Sequence, residues 1–373
     1  MKFLHTADWH IGKKLHGFSL LKEQQYAFDQ IEKIAQKEKV DAIVIAGDIY
    51  DRSVPSEEAV KVLNEMLKQL NLTDHFPILA INGNHDSAIR LNSGGPWYKS
   101  HDFYLNTKLA DAFTPITIKD TQFFLLPSIE LTTIRAFFKK EEVHDIQEGM
   151  KLIIKKMQSQ FISHMHHVLV AHFFAAGKLH HENDTEVGGL NAIPLDILNA
   201  FDYVALGHLH GKNALKDPKI KYSGSPIKFS ISEANDEKGV WIVDTDVQTT
   251  KMAQWYPLKQ LNDIVVLQED FKTLTSPQFY QKVPNNDFVA IELTNKEIIP
   301  NVMNKLRLYY PKIISFKRQS GHEELMPQSQ KSIQKLAPLE LLKLFFKEVT
   351  GNSLSKEQLK FAKEMLSKAE KEE

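Results

Sequence analysis

The chain has 373 residues, and its 46 Lys and Arg nearly cancel 47 Asp and Glu, leaving a net charge of −1. That length accommodates two or three domains, and 42% hydrophobic with 25% charged residues excludes a largely disordered chain. The absence of cysteine excludes disulfide scaffolds, thiol catalysis and thiolate metal sites, and fits the reducing cytoplasm expected as its location. The start, Met1 to Asp8, turns polar too early for a signal peptide, and no run reaches the ~18 apolar residues of a membrane span. Taken alone, the neutral charge argues against a nucleic-acid partner.

Lys2 to His5 reads as a strand, and residues 24–38 as a helix burying Phe28, Ile31 and Ala35. Ala42 to Ala46 is an unbroken apolar strand of the kind buried on both faces. Residues 57–70 give a second helix with Val60, Leu63 and Leu67 on one face, and Pro77 to Ile81 a third strand. This alternation predicts parallel pairing and an α/β core. Further on, 116–118 and 123–126 flank a hairpin turn, a long helix spans about 143–162, and strands follow at 168–171, 203–206, 220–223, 239–244 and 251–257. The expectation is α/β: two packed mixed sheets flanked by helices, filling residues 1–260. Residues 261–321 read as a small α+β module, with strand, helix and strand at 288–293, 302–309 and 313–316. A polar linker at 322–336 leads to a helical pair at 337–373. Its first helix starts at Pro338, carries Leu339, Leu342, Phe346 and Val349, and is capped by Gly351. The second opens on a Ser355–Gln358 capping box and continues through Leu359, Ala362 and Leu366.

Polar clusters follow the strong strands: Asp8-Trp9-His10, Gly47-Asp48-Ile49-Tyr50-Asp51, Gly83-Asn84-His85-Asp86, Ala171-His172 and Gly207-His208-Leu209-His210. Open α/β sheets place their sites at the carboxyl ends of strands, so these groups are expected to converge. Imidazoles, carboxylates and one amide oxygen, without thiolate, suit Mn²⁺, Fe²⁺ or Zn²⁺ better than Ca²⁺. They are too many for one ion. Two ions sharing a carboxylate are the arrangement used for displacement at phosphorus. Singly each motif is weak; their joint order is what carries the reading.

That joint order, Asp8-x-His10, Gly47-Asp48-x-x-Asp51, Gly83-Asn84-His85-Asp86, His172 and Gly207-His208-x-His210, resembles the five-part signature of the calcineurin-like metallophosphoesterases. Within that superfamily the stretches 5–12, 47–52, Tyr222-Ser223-Gly224-Ser225-Pro226, Glu237-Lys238-Gly239-Val240 and Ala337 to Leu341 resemble the SbcD family, nuclease subunits of SbcCD complexes. The resemblance implies a metallophosphoesterase sandwich as nuclease domain at 1–260 and a capping domain at 261–321. It implies two divalent ions, Mn²⁺ foremost. One would be held by Asp8, His10, Asp48 and His210, the other by Asp48, Asn84, His172 and His208. His85 would face the scissile phosphate, with the Asp51 carboxylate orienting it. Substrates would be DNA ends and hairpins, cut by duplex exonuclease and single-strand endonuclease activity in repair, recombination and replication. Arg52, Arg90, Lys13 and Lys14, in loops beside the motifs, are candidate DNA contacts. Leu339, Leu342, Phe346 and Leu359 are candidate contacts to SbcC, an ATPase with coiled coils, in a heterotetramer built on a homodimer and without a membrane. A phosphomonoesterase or cyclic-nucleotide phosphodiesterase, or a non-enzymatic scaffold, are the alternatives; the tail disfavours the former and the complete ligand set the latter. His164, His166, His167, His180 and His181 are expected to be solvated, His5 to be buried structure, and Trp9 to be core.

Overall fold

Short apolar strands separated by amphipathic helices can only bury both of their faces by lying side by side with the helices outside. The computed structural model has this arrangement; it describes residues 1–176, 192–247, 249–295, 297, 299–319, 339, 342–343, 346 and 353–369. His180, His181, Pro338, Val349, Gly351 and the 322–336 linker lie outside them. The chain divides into two units, Met1–Val265 and Val266–Glu373.

In the first unit, Lys2–Thr6, Ala42–Ala46, Ile78–Ile81 and Phe103–Asn106 pair in parallel. Gly239–Asp244 adds antiparallel to the free edge of Lys2–Thr6, and Ala253–Pro257 follows it. A second sheet runs Ile220–Tyr222, Tyr203–Gly207, His166–His172, Thr121–Leu126, Ile116–Ile118, with only the last strand antiparallel. The sheets meet face to face. Phe3, Val44, Ala46, Leu79 and Ile81 of the first share one core with Phe123, Leu125, Val168, Val170, Tyr203 and Ala205 of the second. Alternate residues of the second sheet, including Phe124, Leu169 and Val204, face outward onto Met150, Ile153, Ile154 and Met157 of the helix Ile146–Gln158. The period of two along each strand thus divides its apolar residues between two cores. The helices Leu21–Glu38 and Glu57–Lys68 bury Phe28, Ile31 and Ala35, and Ala59, Leu63 and Met66.

The expected helix at 143–162 is shorter. Asp145 caps its start by accepting the Glu148 amide at 2.8 Å, and a separate helix, Leu131–Phe138, precedes it. The strand Phe103–Asn106 was not anticipated, because its two central residues are only half-buried and it lacks an unbroken apolar run. In the second unit, Phe288–Leu293 and Ile313–Arg318 pair in parallel around the helix Val302–Leu306, and Ile264–Glu269 joins as a third strand. The capping box closes reciprocally at the helix Lys356–Ala369: the Ser355 amide donates to Gln358 Oε1 at 2.9 Å and the Gln358 amide to Ser355 Oγ at 3.2 Å.

Candidate metal centre

Where the strands end, the backbone turns through left-handed conformations that point polar side chains back over the sheet edge. Asp8 (φ 52°), His10 (44°), Asp48 (49°) and His208 (104°) all adopt positive φ without being glycine. Such conformations cost on the order of 1 kcal/mol or more each and persist only where neighbours over-determine them. Here the loops are stitched together. The amides of Asp8, His10 and Ile11 donate to the carbonyls of Gly47, Asp48 and Ile49 at 3.0, 2.9 and 2.9 Å. Asp86 accepts three amides, from Ile49 (3.0 Å), Tyr50 (2.8 Å) and Gly83 (2.9 Å). Buried Gln24 donates to the carbonyls of Trp9 and His10 and accepts from the Gly12 amide. Gly83 lies so close to Asp48 that a Cβ there would collide with its carboxylate.

The side chains converge on Asp48. Its Oδ1 accepts the His85 amide at 2.9 Å, while its Oδ2 lies 3.4 Å from His172 Nε2, 3.6 Å from His10 Nε2 and 4.0 Å from His85 Nε2. His10 Nε2 and His210 Nε2 face each other at 3.2 Å. Asn84 Oδ1 lies 3.0 Å from His172 Nε2 and 3.1 Å from His208 Nδ1. Asp8 accepts the His208 amide on both oxygens. Asp8, His10 and His210, and likewise Asp8, Asp48 and His172, present ligand atoms within 4.8 Å of one another. All seven side chains expected as ligands, and His85, are therefore gathered at one sheet edge.

Two imidazoles are oriented from behind. His172 Nδ1 donates to the Ala46 carbonyl at 2.9 Å, which leaves Nε2 to face the cluster. His210 Nδ1 lies 3.2 Å from Glu233 Oε1. Burial pushes Asp8 up to about 6 and holds His10 down at about 3 and His208 at about 4. For Asp48, burial opposes ionisation, yet the hydrogen bond and charge of His172, with that of His10, hold its carboxyl well below the usual range. Burial likewise disfavours charged His172, but the Asp48 hydrogen bond and the Asp8 and Asp48 charges raise it to about 9. At neutral pH, two buried carboxylates thus face one imidazolium. Two further observations fit divalent cations. The facing Nε2 atoms of His10 and His210 can share a proton or a cation but cannot both point lone pairs into empty space, and buried His10 Nδ1 has no partner. A cation takes the place of protons in such a donor set.

One expected role is corrected. His85 is oriented by Asp51, but through the main chain: Nδ1 donates to the Asp51 carbonyl at 2.9 Å. The Asp51 carboxylate instead binds Lys13 Nζ at 2.7 Å and lies 4.0 Å from His10 Nδ1. A lysine next to a carboxylate outcompetes a more distant imidazole. Lys13, expected to meet DNA, is therefore committed to Asp51, whereas Lys14, Arg52 and Arg90 are exposed. His167, expected in solvent, is buried and stacks on Phe161 with ring centroids 3.8 Å apart. His5 is buried and bonds Tyr203 Oη and the Leu206 carbonyl, and Trp9 is buried with its indole N–H on Thr6. In the tail, Leu342 is exposed and Leu339, Phe346 and Leu359 half-buried. Gln24, Glu233 and Lys238 went unrecognised as parts of the site, since no local pattern marks them. Asp86 stood within a noted motif without an assigned role.

A two-sheet sandwich that gathers carboxylates and imidazoles at the ends of its strands defines a metallophosphoesterase. Known proteins agree. The Calcineurin-like phosphoesterase family matches residues 1–212, and the Type 5 capsule protein repressor C-terminal domain matches residues 260–350. The SbcD subunit of the SbcCD nuclease of Staphylococcus epidermidis is 34% identical over 370 residues, covering 98% of both chains. Its namesake from Staphylococcus saprophyticus is 30% identical over 370 residues, covering 96% of each. Among solved structures, TT1561 of Thermus thermophilus covers 69% of this chain and 99% of its own, at 12% identity and a TM-score of 0.43. The chain belongs to the calcineurin-like phosphoesterase family and, within it, to the SbcD proteins. Among the described residues no helix is long and apolar enough to cross a membrane.

Proposed function

We propose that this chain is the nuclease component of an SbcCD-type complex, a DNA phosphodiesterase that uses two divalent ions, Mn²⁺ foremost, in the cytoplasm. It would degrade duplex ends as an exonuclease and cut single strands and hairpins as an endonuclease, in end processing and repair. The observation that carries this reading is the convergence of donors from five strand ends on one buried carboxylate, Asp48. Asp8, His10, Asp48 and His210 would hold one ion, and Asp48, Asn84, His172 and His208 the other. When bound, the ions supply Lewis-acid chemistry, neutralising the phosphoryl charge and making a water acidic enough to attack.

The chain's own residues do the rest. Asp48 contributes to both ligand sets and is fixed by the His85 amide. The His85 ring is 42% exposed beside the cluster, with Nδ1 tied to the Asp51 carbonyl. That bond favours the charged ring and leaves Nε2–H to bind a phosphoryl oxygen or to protonate the leaving oxygen. Asp51 is a positioning residue in this scheme. Arg52, Arg90 and Lys14 are placed for backbone phosphates, and with no base-reading motif near them, recognition would rest on backbone and end structure. The curated relatives' name supports a coiled-coil ATPase, SbcC, as partner, and the apolar residues Leu339, Leu342, Phe346 and Leu359 are the proposed contact. The assembly would be a heterotetramer around a homodimer of this chain.

The test is hydrolysis of end-labelled duplex and hairpin DNA alongside a phosphomonoester, with Mn²⁺ and after chelation. Metal-dependent cutting of both DNAs is expected. Turnover of the monoester alone would overturn the reading.

A further inference from the structure

His210 is far more exposed than two of the other histidines assigned as ligands: its side chain is 29% accessible, against 0% for His172 and 1% for His10. Packing alone therefore does not fix its ring. What stands behind it is a closed polar network outside the five-part signature. Glu233, 7% exposed, places Oε1 3.2 Å from His210 Nδ1 and Oε2 2.6 Å from Lys238 Nζ. Lys238, 2% exposed, also donates to the His210 carbonyl at 2.9 Å, so the two ends of one ion pair grip the ring and the main chain of the same residue. Glu233 is itself held by Ser230 Oγ at 3.0 Å and by the Phe229 amide at 3.3 Å. The Phe229 ring stands edge-on to both His10 (5.2 Å) and His210 (5.6 Å).

We infer that Glu233, locked by Lys238, is the positioning residue that sets the tautomer and ring angle of His210, so that Nε2 faces the centre as a ligand. This rests on the metal-centre reading above. The physical reason is specific. A carboxylate accepting from Nδ1–H forces the neutral ring to keep its lone pair on Nε2, the atom 3.2 Å from His10 Nε2. Without the acceptor, either tautomer is available and the ring can rotate toward solvent. Lys238 serves a different purpose. Its nearly buried ammonium keeps Glu233 charged and aimed, and a lone buried charge on either side would be unstable.

The experiment uses the full chain. Mn²⁺ alone is titrated calorimetrically into wild type, Glu233→Gln and Lys238→Met, with thermal unfolding of the metal-free proteins measured alongside. Glu233→Gln, of equal size, should weaken one of the two ions by about 10- to 100-fold and leave the other unchanged. Lys238→Met should lower thermal stability while weakening that ion less than Glu233→Gln does. Unchanged affinity for both ions in Glu233→Gln, or equal weakening of both together with a lowered unfolding temperature, overturns the inference. A wild type that binds no Mn²⁺ overturns the metal-centre reading itself, a distinct result. A readout that does not depend on a variant folding is the ring nitrogen NMR of His210 in metal-free wild type at alkaline pH. Protonation on Nδ1 is expected, and protonation on Nε2 refutes the positioning role.

Discussion

Replacing His85 by alanine should separate holding the ions from cleaving the phosphodiester. The ring makes one hydrogen bond, from Nδ1 to the Asp51 carbonyl, and is 42% exposed, so its loss removes about 1 kcal/mol of stability. The contact that fixes Asp48 comes from the His85 main chain, and alanine keeps it. Fold and ion content should therefore survive. Hydrolysis should not, because a positioned acid contributes roughly 10²- to 10⁴-fold, or about 3–5 kcal/mol of transition-state stabilisation. The assay is single-turnover cleavage of labelled duplex, with bound Mn²⁺ counted on the same samples. A second substrate, a phosphodiester with a nitrophenolate leaving group, sharpens it. A leaving group that needs no proton should lose far less rate in His85→Ala than DNA does. If bound Mn²⁺ falls in step with activity, His85 is a ligand and the assignment is wrong. If both substrates lose rate equally, His85 stabilises charge and does not deliver the proton.

Three further outcomes follow from the same geometry. His5 is fully buried, and burial pushes it down to about 3; the unfolded chain therefore binds a proton the folded chain refuses, and stability falls as pH drops below 6.5. At about 1.4 kcal/mol per pH unit, this group removes roughly 2 kcal/mol between pH 6.5 and 5; guanidinium unfolding of wild type and His5→Gln should differ in pH slope by that amount, and equal slopes refute it. Asp86→Ala strips the acceptor from the amides of Ile49, Tyr50 and Gly83 and should cost about 3 kcal/mol at roughly 1 kcal/mol each, with weaker Mn²⁺ binding, whereas a loss under 1 kcal/mol in chemical denaturation would show the loops to be held otherwise. Deleting residues 331–373 should abolish co-purification with the coiled-coil ATPase and leave Mn²⁺-dependent cleavage intact, and full-stoichiometry co-purification of the truncated chain would remove the tail from that role.

The near-zero net charge, which disfavours nucleic acid as a global number, reads differently once the site is seen. Two of the acidic residues, Asp8 and Asp48, are buried among imidazoles and lie where cations fit, so the local field that a phosphate meets differs from the average. Only Lys14, Arg52 and Arg90 remain exposed among the cations considered, because Lys13 is paired with Asp51. The free chain should accordingly bind DNA with modest, salt-sensitive affinity.

Several features are determined by the sequence alone because their causes are local. Unbroken apolar runs such as Ala42 to Ala46 make buried strands, helical spacing of Phe28, Ile31 and Ala35 makes one helix face, and Ser355 with Gln358 marks a helix start. The order in which Asp8, His10, Asp48, Asn84, His85, His172, His208 and His210 follow strands is equally visible, since parallel strands bring their carboxyl ends to one edge. Tertiary structure decided how each group is used. Asp51 reaches His85 with its carbonyl because Lys13 takes its carboxylate, and no spacing rule says which oxygen of a residue faces a neighbour 34 positions away. Glu233 stands behind His210 from 23 residues on, and Gln24 ties down the loop of His10 from a helix. These contacts arise between elements whose apolar faces pack for unrelated reasons, so they leave no periodic trace. Strand and helix are written in neighbours along the chain; the aim of a carboxylate is set only when the two sheets close on one another.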